Sequence, residues 1–362
     1  MKWVHFQRLP GGDFGLEAIR FSGSPARSLK ASNQNISFVT LIHFKLKMEE
    51  LTLLILGAGW TSTFLIPLLQ SRSIPFAATT TSGRTVEGVP TTPFKFDPSA
   101  PEDETLSAIA ALPRARYILI TFPLHGAGTS KLLTETYEST HRTAAATSSQ
   151  PQSQSHSQFR FIQLGSTGIW QPQGPLTTTS SSNPNPWITR HSSHITTTPR
   201  AIAEDELLAL GGCVLNLAGL WGGARHPRNW IKRVAPSKEA VRGKRSLHVV
   251  HGEDVARGVA AIVSDGRNED DGEEGRWERA GSGQRWMVTD GWVYDWWGLM
   301  AGWAVEEEGD GEVREQAKWV WELMREEEVR ALPRGMEALG RCYDSREFWE
   351  TWGLVPVKGR VC

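Results

Sequence analysis

The sequence predicts an α/β chain built on a doubly wound parallel sheet, with a small, mainly helical region at its C-terminal end. Three observations carry this. Short apolar runs alternate with helical stretches from Leu51 to Ala218. The first run passes directly into a Gly-x-Gly turn and then into a helical stretch. Beyond about residue 220 the alternation stops and tryptophan becomes frequent. Strands buried on both faces read as continuous apolar runs, and strand–helix alternation builds parallel sheets with right-handed crossovers.

The elements follow in order. Leu51–Leu56 (LTLLIL) is the first strand, ended by Gly57-Ala58-Gly59, and a helix runs from about Thr61 to Ser71. Pro75–Thr80 reads as the second strand and Pro93–Asp97 as a short third one. Asp103–Leu112 is helical, with Leu106, Ile109, Ala110 and Leu112 as its apolar set. Arg116–Thr121 is a strong strand, Gly128–His141 a helix and Phe159–Leu164 the next strand. Pro199–Leu210 is helical, with its charges grouped at Glu204, Asp205 and Glu206, and Cys213–Ala218 closes the series. A further helix is expected over Glu312–Val329.

Three stretches interrupt the pattern. Thr143–Gln158 and Thr177–Pro186 are polar and low in complexity, and Asp265–Gly283 is Gly-rich and acidic. None has the apolar content to offset its ordering entropy, so all three are expected to be mobile surface insertions. The acidic run lacks the spaced ligands and fixed turn of a metal site, and no metal is expected. Residues 1–47 show no sustained period and are richer in basic than acidic residues. They read as a non-structural leader, with Met48 just before the first strand, or alternatively as a transit peptide.

Composition narrows the function. The 362 residues amount to about two domains' worth of chain. The formal net charge of −1 supplies no basic field for nucleic acid. No run approaches the ~20 apolar residues of a membrane span. Cys213, Cys342 and Cys362 form no CxxC pair, which fits a reducing compartment. A cytoplasmic location is therefore expected, with a mitochondrial one as the alternative.

The strongest chemical signal is the turn after the first strand. Gly57 allows a tight bend, Gly59 lets a pyrophosphate approach the backbone, and the helix start offers free N–H groups and a positive dipole end. This is a Rossmann-type dinucleotide turn, in which Ser62 stands where a third glycine is usual. Trp60 and Thr61 are expected beside the pyrophosphate. An NAD site wants an acid after the second strand, but that region reads Thr79-Thr80-Thr81-Ser82-Gly83-Arg84. Thr81, Ser82 and Arg84 suit a 2′-phosphate, which favours NADP over NAD; the alternative is that Arg84 is an ordinary loop residue. Residues 48–219 would then form the dinucleotide-binding domain and residues 220–362 the C-terminal substrate region, sharing elements with it.

With these motifs in place, the chain resembles an atypical extended short-chain dehydrogenase/reductase of the NAD-dependent epimerase/dehydratase superfamily, in the bacterial and fungal group with a G-x-G-W turn. Five stretches carry the resemblance in the right order: Gly57-Ala-Gly-Trp60, Thr121-Phe122-Pro123, Gly165-Ser-Thr-Gly-Ile-Trp170, Leu217-Ala-Gly-Leu-Trp-Gly222 and Leu247–Asp254. The resemblance implies that Phe122 and Pro123 lie over the cofactor and that Ser166 and Thr167 hold the catalytic hydroxyl position. It also implies a Tyr-x-x-x-Lys on the next helix, where this chain places Thr196 and Arg200. Threonine is too weak an acid to replace tyrosine. Arg200 is left either to hold the cofactor ribose or to be a surface residue.

Other candidates are weaker. His191 and His194 precede that helix and are candidate proton donors, but they read more readily as exposed loop residues. His251 and Asp254 are expected to cap and orient the following helix. The tryptophans at 292, 296, 297, 303, 319 and 321 suit either a substrate pocket or a helical core. Ala224-Arg225-His226-Pro-Arg228 reads as an anionic-substrate clamp or a solvated basic loop. Two functions remain: an NADP-dependent oxidoreductase or epimerase working without the usual tyrosine, and an NADP-binding redox sensor or interaction module without turnover. A small-molecule substrate is the expected partner, and a homodimer is left open.

Overall fold

Alternate residues of a strand point to opposite faces. Along β1 (Leu51–Leu56) this sends Leu53 and Ile55 into one core and Leu54 and Leu56 into another. Both faces are covered, which is why the strand is apolar throughout. A computed structural model describes residues 51–142, 158–170, 187–264, 275–305 and 312–361. The reading of 1–47 as a leader, and those of 143–157 and 177–186 as insertions, lie outside the described residues.

Six more strands join β1: β2 (Phe76–Thr80), β3 (Thr92–Pro93), β4 (Ala115–Ile120), β5 (Arg160–Ser166), β6 (Cys213–Leu217) and β7 (Arg285–Val288). Their order is β7-β6-β5-β4-β1-β2-β3, and every pairing is parallel. The chain therefore winds outward in both directions from β1. Its C-terminal edge beside β4 is the switch point, where open α/β sheets leave a crevice for ligands.

One face is covered by α1 (Ser62–Ser71), α5 (Gly252–Ser264) and α8 (Arg346–Thr351), through Leu65, Ile66, Leu69, Val255, Val259 and Phe348. The other is covered by α2 (Glu102–Ala110), α3 (Thr129–His141) and α4 (Pro199–Ala209), through Ile109, Leu133, Tyr137, Ala203 and Leu207. The grouped acids of α4 divide their work. Glu206 accepts the N–H groups of Gly128 (2.7 Å), Ser130 (2.9 Å) and Lys131 (3.2 Å) and so caps α3 from a neighbouring helix.

The smaller region is mainly helical, as expected. α6 (Trp296–Gly302) and α7 (Glu315–Glu326) pack with the short helices Ile231–Val234 and Lys238–Arg242 around Trp296, Trp297, Met300, Val320 and Leu323. Trp297 is fully buried and its indole N–H donates to the Val241 carbonyl at 2.8 Å. Trp296, Trp297 and Trp319 thus belong to a core, whereas Trp292 and Trp321 are exposed.

The structure corrects four sequence expectations. The series does not close at Ala218, because Arg285–Val288 adds a seventh strand beside β6. Residues beyond 220 thus complete the sheet. The third strand is only Thr92–Pro93; the chain leaves the edge after the proline. The segment read as a mobile loop over 265–283 contains a helix at Arg276–Ala280 within its described part. Trp277 explains it: the ring is buried against Tyr117 at 5.6 Å, under the Arg160 guanidinium at 5.5 Å, and that burial outweighs the polar, Gly-rich surroundings. Asp254 does not serve its own helix alone. It accepts the N–H groups of Val357 (2.8 Å) and Lys358 (2.9 Å) and pairs with Arg257, tying the C-terminal segment to α5.

A second carboxylate near that segment carries a pH prediction. Asp290 accepts the Tyr294 hydroxyl at 2.6 Å, which in turn accepts the Val361 N–H at 3.0 Å. Burial lifts the Asp290 carboxyl from the ordinary 3.8 to about 6. The folded state then holds this proton more tightly than the unfolded chain. Its contribution to stability is complete below about pH 4 and is lost as pH rises through about 6, on the order of 3 kcal/mol. Urea midpoints measured across that window should fall with rising pH, and Asp290→Asn should flatten the slope.

Candidate cofactor site

The site begins with a hydroxyl hidden beneath the glycine turn. Thr79, fully buried on β2, accepts the Gly57 N–H at 3.0 Å, and its carbonyl accepts the Ala58 N–H at 2.6 Å. Thr121, just past β4, donates from its hydroxyl to the carbonyls of Leu56 and Gly57. Neighbouring strands thus grip the turn from both sides. Gly57 takes φ +85°, and a Cβ there would come within 3.0 Å of the Phe122 ring and the Thr121 hydroxyl. Gly59 differs: a Cβ would meet only the Gly57 carbonyl, at 3.8 Å, so the surface before it is open.

Beyond the turn, Ser62 N–H donates to the Gly59 carbonyl at 3.0 Å. The N–H groups of Gly59, Trp60 and Thr61 have no hydrogen-bond partner among the described residues. Three unpaired donors at the start of a ten-residue helix form a surface of positive potential. The Thr61 and Ser62 side chains are buried, so these two residues offer backbone groups to a ligand. Among the described residues the Ser62 hydroxyl has no hydrogen-bond partner.

The second-strand hydroxyls are not equivalent. Thr79 holds Gly57, and Thr80 bonds Thr91 (2.8 Å) and accepts the Arg84 N–H (3.1 Å), which leaves Thr81 and Ser82 exposed. Arg84 folds back over the turn and donates to the Ala58 carbonyl at 3.3 Å. Its charge therefore sits beside the glycines, although the sequence places it 26 positions from Ala58. Phe122 packs on Gly57 and stacks on Phe96 at 6.3 Å, and Pro123 is exposed beside it.

Ser166 ends β5 and Thr167 begins the short helical turn after it, at the same edge of the sheet. Ser166 is half-buried, and its hydroxyl accepts the Gly168 N–H at 3.1 Å. The Thr167 hydroxyl is buried against the Leu217 carbonyl at 3.4 Å, so Ser166 is the more open of the pair. Thr196 is exposed and next to Ile195, whose N–H donates to the Ile169 carbonyl at 2.8 Å. Arg200 lies in the first turn of α4, which meets the loop after β4 through Gly126 N–H and the Pro199 carbonyl at 2.7 Å.

The remaining titratable candidates are engaged. His191 pairs with Glu347 at 3.0 Å and His194 with Asp205 at 3.1 Å. Glu204 is fully buried and bonds Arg285 (2.8 Å) and Asn216 (2.7 Å); Asn216 also donates to the Ser166 carbonyl at 3.0 Å. Sequence reasoning missed this group, which sits directly behind the Ser166 turn. His251 accepts the Glu253 N–H at 3.1 Å, as the capping expectation required, and burial lowers its pKa. His248 is pushed down to about 3 by burial and, neutral, accepts the Tyr343 N–H at 3.0 Å. Among the described residues no group of three or more His, Cys, Asp or Glu side chains is placed to hold a metal ion. No helix there is long and apolar enough to cross a membrane.

No protein-family model and no curated protein sequence matches the chain. Solved structures do. One is a protein from Methylobacillus flagellatus assigned as an NAD-dependent epimerase/dehydratase; it is 13% identical, with 85% of this chain and 93% of that one covered and a TM-score of 0.50. The two share a fold. A short-chain dehydrogenase/reductase superfamily protein from Agrobacterium tumefaciens, with bound NAD, is 10% identical over 84% of this chain and 92% of its own, at a TM-score of 0.47. A UDP-N-acetylglucosamine 4-epimerase from Bacillus cereus is 8% identical over 85% and 94%, at 0.44.

Proposed function

We propose that the chain binds a nicotinamide dinucleotide, NADP in preference to NAD, on the turn Gly57–Ser62. We further propose that it acts as an oxidoreductase or an epimerase/dehydratase-like enzyme on a small molecule. The observation that carries this is the set of unpaired N–H groups at Gly59, Trp60 and Thr61, placed at the sheet's switch point with open space before Gly59. Such a surface takes a pyrophosphate. Arg84, with Thr81 and Ser82 exposed beside it, supplies the donors for a 2′-phosphate. The fold shared with the Methylobacillus protein agrees with this reading.

The chain's own residues then divide the chemistry. The backbone of the turn holds the pyrophosphate, Phe122 and Pro123 flank the cofactor, and Arg200 reaches the ribose. A bound nicotinamide supplies hydride exchange. The Ser166 hydroxyl, half-buried at the same edge, hydrogen-bonds the substrate oxygen, with Thr167 behind it. No phenol stands at position 196, and His191, His194 and Glu204 are held by other partners. That observation favours a second reading, an NADP-binding redox sensor or interaction module without turnover. NADPH consumption against a panel of carbonyl compounds, together with product analysis for epimerisation or water loss, which consume no NADPH, separates the two: activity of either kind removed by Ser166→Ala supports the enzyme, and none in both assays supports the sensor.

Cofactor preference has its own test. Arg84→Ala should raise the Kd for NADPH by about tenfold or more while leaving NADH nearly unchanged, because only NADPH carries the extra phosphate. Equal losses for both cofactors would remove Arg84 from the 2′-phosphate site.

A further inference from the structure

The loop after Trp221 comes from the C-terminal region, yet it ends on the glycine turn. Gly222 and Arg225 exchange backbone hydrogen bonds of 2.7 and 3.0 Å, closing a tight turn. Gly222 takes φ +120°, and a Cβ there would lie 2.3 Å from His251 Nε2, so the loop is pressed onto that imidazole. A run of ring contacts continues from there: Trp221 to His251 at 4.7 Å, His251 to Phe64 at 5.2 Å, Phe64 to Trp60 at 5.0 Å. The loop is thereby braced against the first turns of α1. Its product is one placement: the Arg225 guanidinium lies over the Trp60 ring, 4.6 Å from its centre.

Arg225 is exposed, and no carboxylate pairs with it among the described residues. A cation with no carboxylate partner among the described residues thus rests on the ring of Trp60, a residue whose own N–H is one of the three left unpaired. A guanidinium and a helix start gathered around one residue both favour an anion. The flat guanidinium keeps its edge N–H donors available while its face rests on the indole, and that edge is what a phosphate oxygen takes.

We propose that Arg225 is a cofactor-binding residue, reaching from the C-terminal region across Trp60 to bind the pyrophosphate of a dinucleotide seated on the glycine turn. This rests on the dinucleotide reading above. It places the basic loop on the cofactor instead of on an anionic substrate. It also couples the two parts of the chain, since the cofactor's phosphates would be held from both.

Calorimetric titration of the full chain with NADPH, NADH and ADP-ribose tests it, using wild type, Arg225→Ala, Arg225→Lys and Arg84→Ala. All three ligands carry the pyrophosphate. Arg225→Ala should therefore raise each Kd by about tenfold, whereas Arg84→Ala should affect NADPH alone. Arg225→Lys keeps the charge but loses the fork and should fall between. An unchanged melting temperature is expected, because the side chain is exposed. Wild-type binding with Arg225→Ala unaltered for ADP-ribose overturns this inference alone, as does a loss confined to NADPH. A wild-type chain that binds none of the three overturns the dinucleotide reading as well.

Discussion

Arg285→Ala is expected to destabilise the fold by about 3–5 kcal/mol, the cost typical of removing one partner from a buried ion pair. Glu204 is fully buried, and its Oε2 takes the Arg285 guanidinium at 2.8 Å and the Asn216 amide at 2.7 Å. Arg285 also bonds the Asn216 carbonyl oxygen at 3.0 Å and pairs with Asp205. Without Arg285 the buried Glu204 carboxylate loses the one cation that pairs with it among the described residues. Set against the roughly 5–15 kcal/mol of a typical domain, that loss is large. Urea denaturation measures it. The double variant Glu204→Leu/Arg285→Met should recover much of the loss, because two apolar side chains of similar volume leave no charge to desolvate. An Arg285→Ala midpoint equal to wild type would show that Glu204 does not depend on this pair. Asn216 links the group to the Ser166 carbonyl, so the same substitution should also loosen the Ser166 turn.

The second large effect separates the two glycines. Gly59→Val should keep the fold and weaken dinucleotide binding, with Kd raised at least tenfold, or ~1.4 kcal/mol. The protein has room for the side chain, since a Cβ at Gly59 meets only the Gly57 carbonyl at 3.8 Å. What it fills is the space proposed for the pyrophosphate. Gly57→Val should lose stability and binding together. Its φ of +85° costs an ordinary residue roughly 1–2 kcal/mol, and its Cβ would press on Phe122 and Thr121 at 3.0 Å. Melting temperature and Kd measured on both variants give the comparison. If Gly59→Val binds as wild type does, the ligand does not lie on this turn.

Much of the frame was legible because it depends on local pattern. LTLLIL followed by Gly-x-Gly and a helix needs no distant contact to be read, and neither does the apolar run ending at Thr121-Phe122-Pro123. What stayed hidden depends on long-range pairing. Arg285 meets Glu204 across 81 positions, so RWMV did not declare itself a sheet strand with a charged first residue. Trp277 is buried although acidic and Gly-rich sequence surrounds it. Thr79 and Thr81 look alike in the sequence, yet one is buried under the turn and the other exposed, because β2 ends at Thr80 and Thr81 has already left the sheet. Arg225 was visible as a basic loop residue, but its seat on Trp60 arises only from the ring contacts through Phe64 and His251.

Titration of the intact chain with NADPH, followed by calorimetry, tests the dinucleotide site most directly. Saturable binding at one site per chain is expected, with a roughly micromolar Kd, weaker binding of NADH and a Kd at least tenfold higher for Gly59→Val. Absence of binding by either cofactor up to about millimolar concentration would contradict the site at Gly57–Ser62 and every role assigned around it.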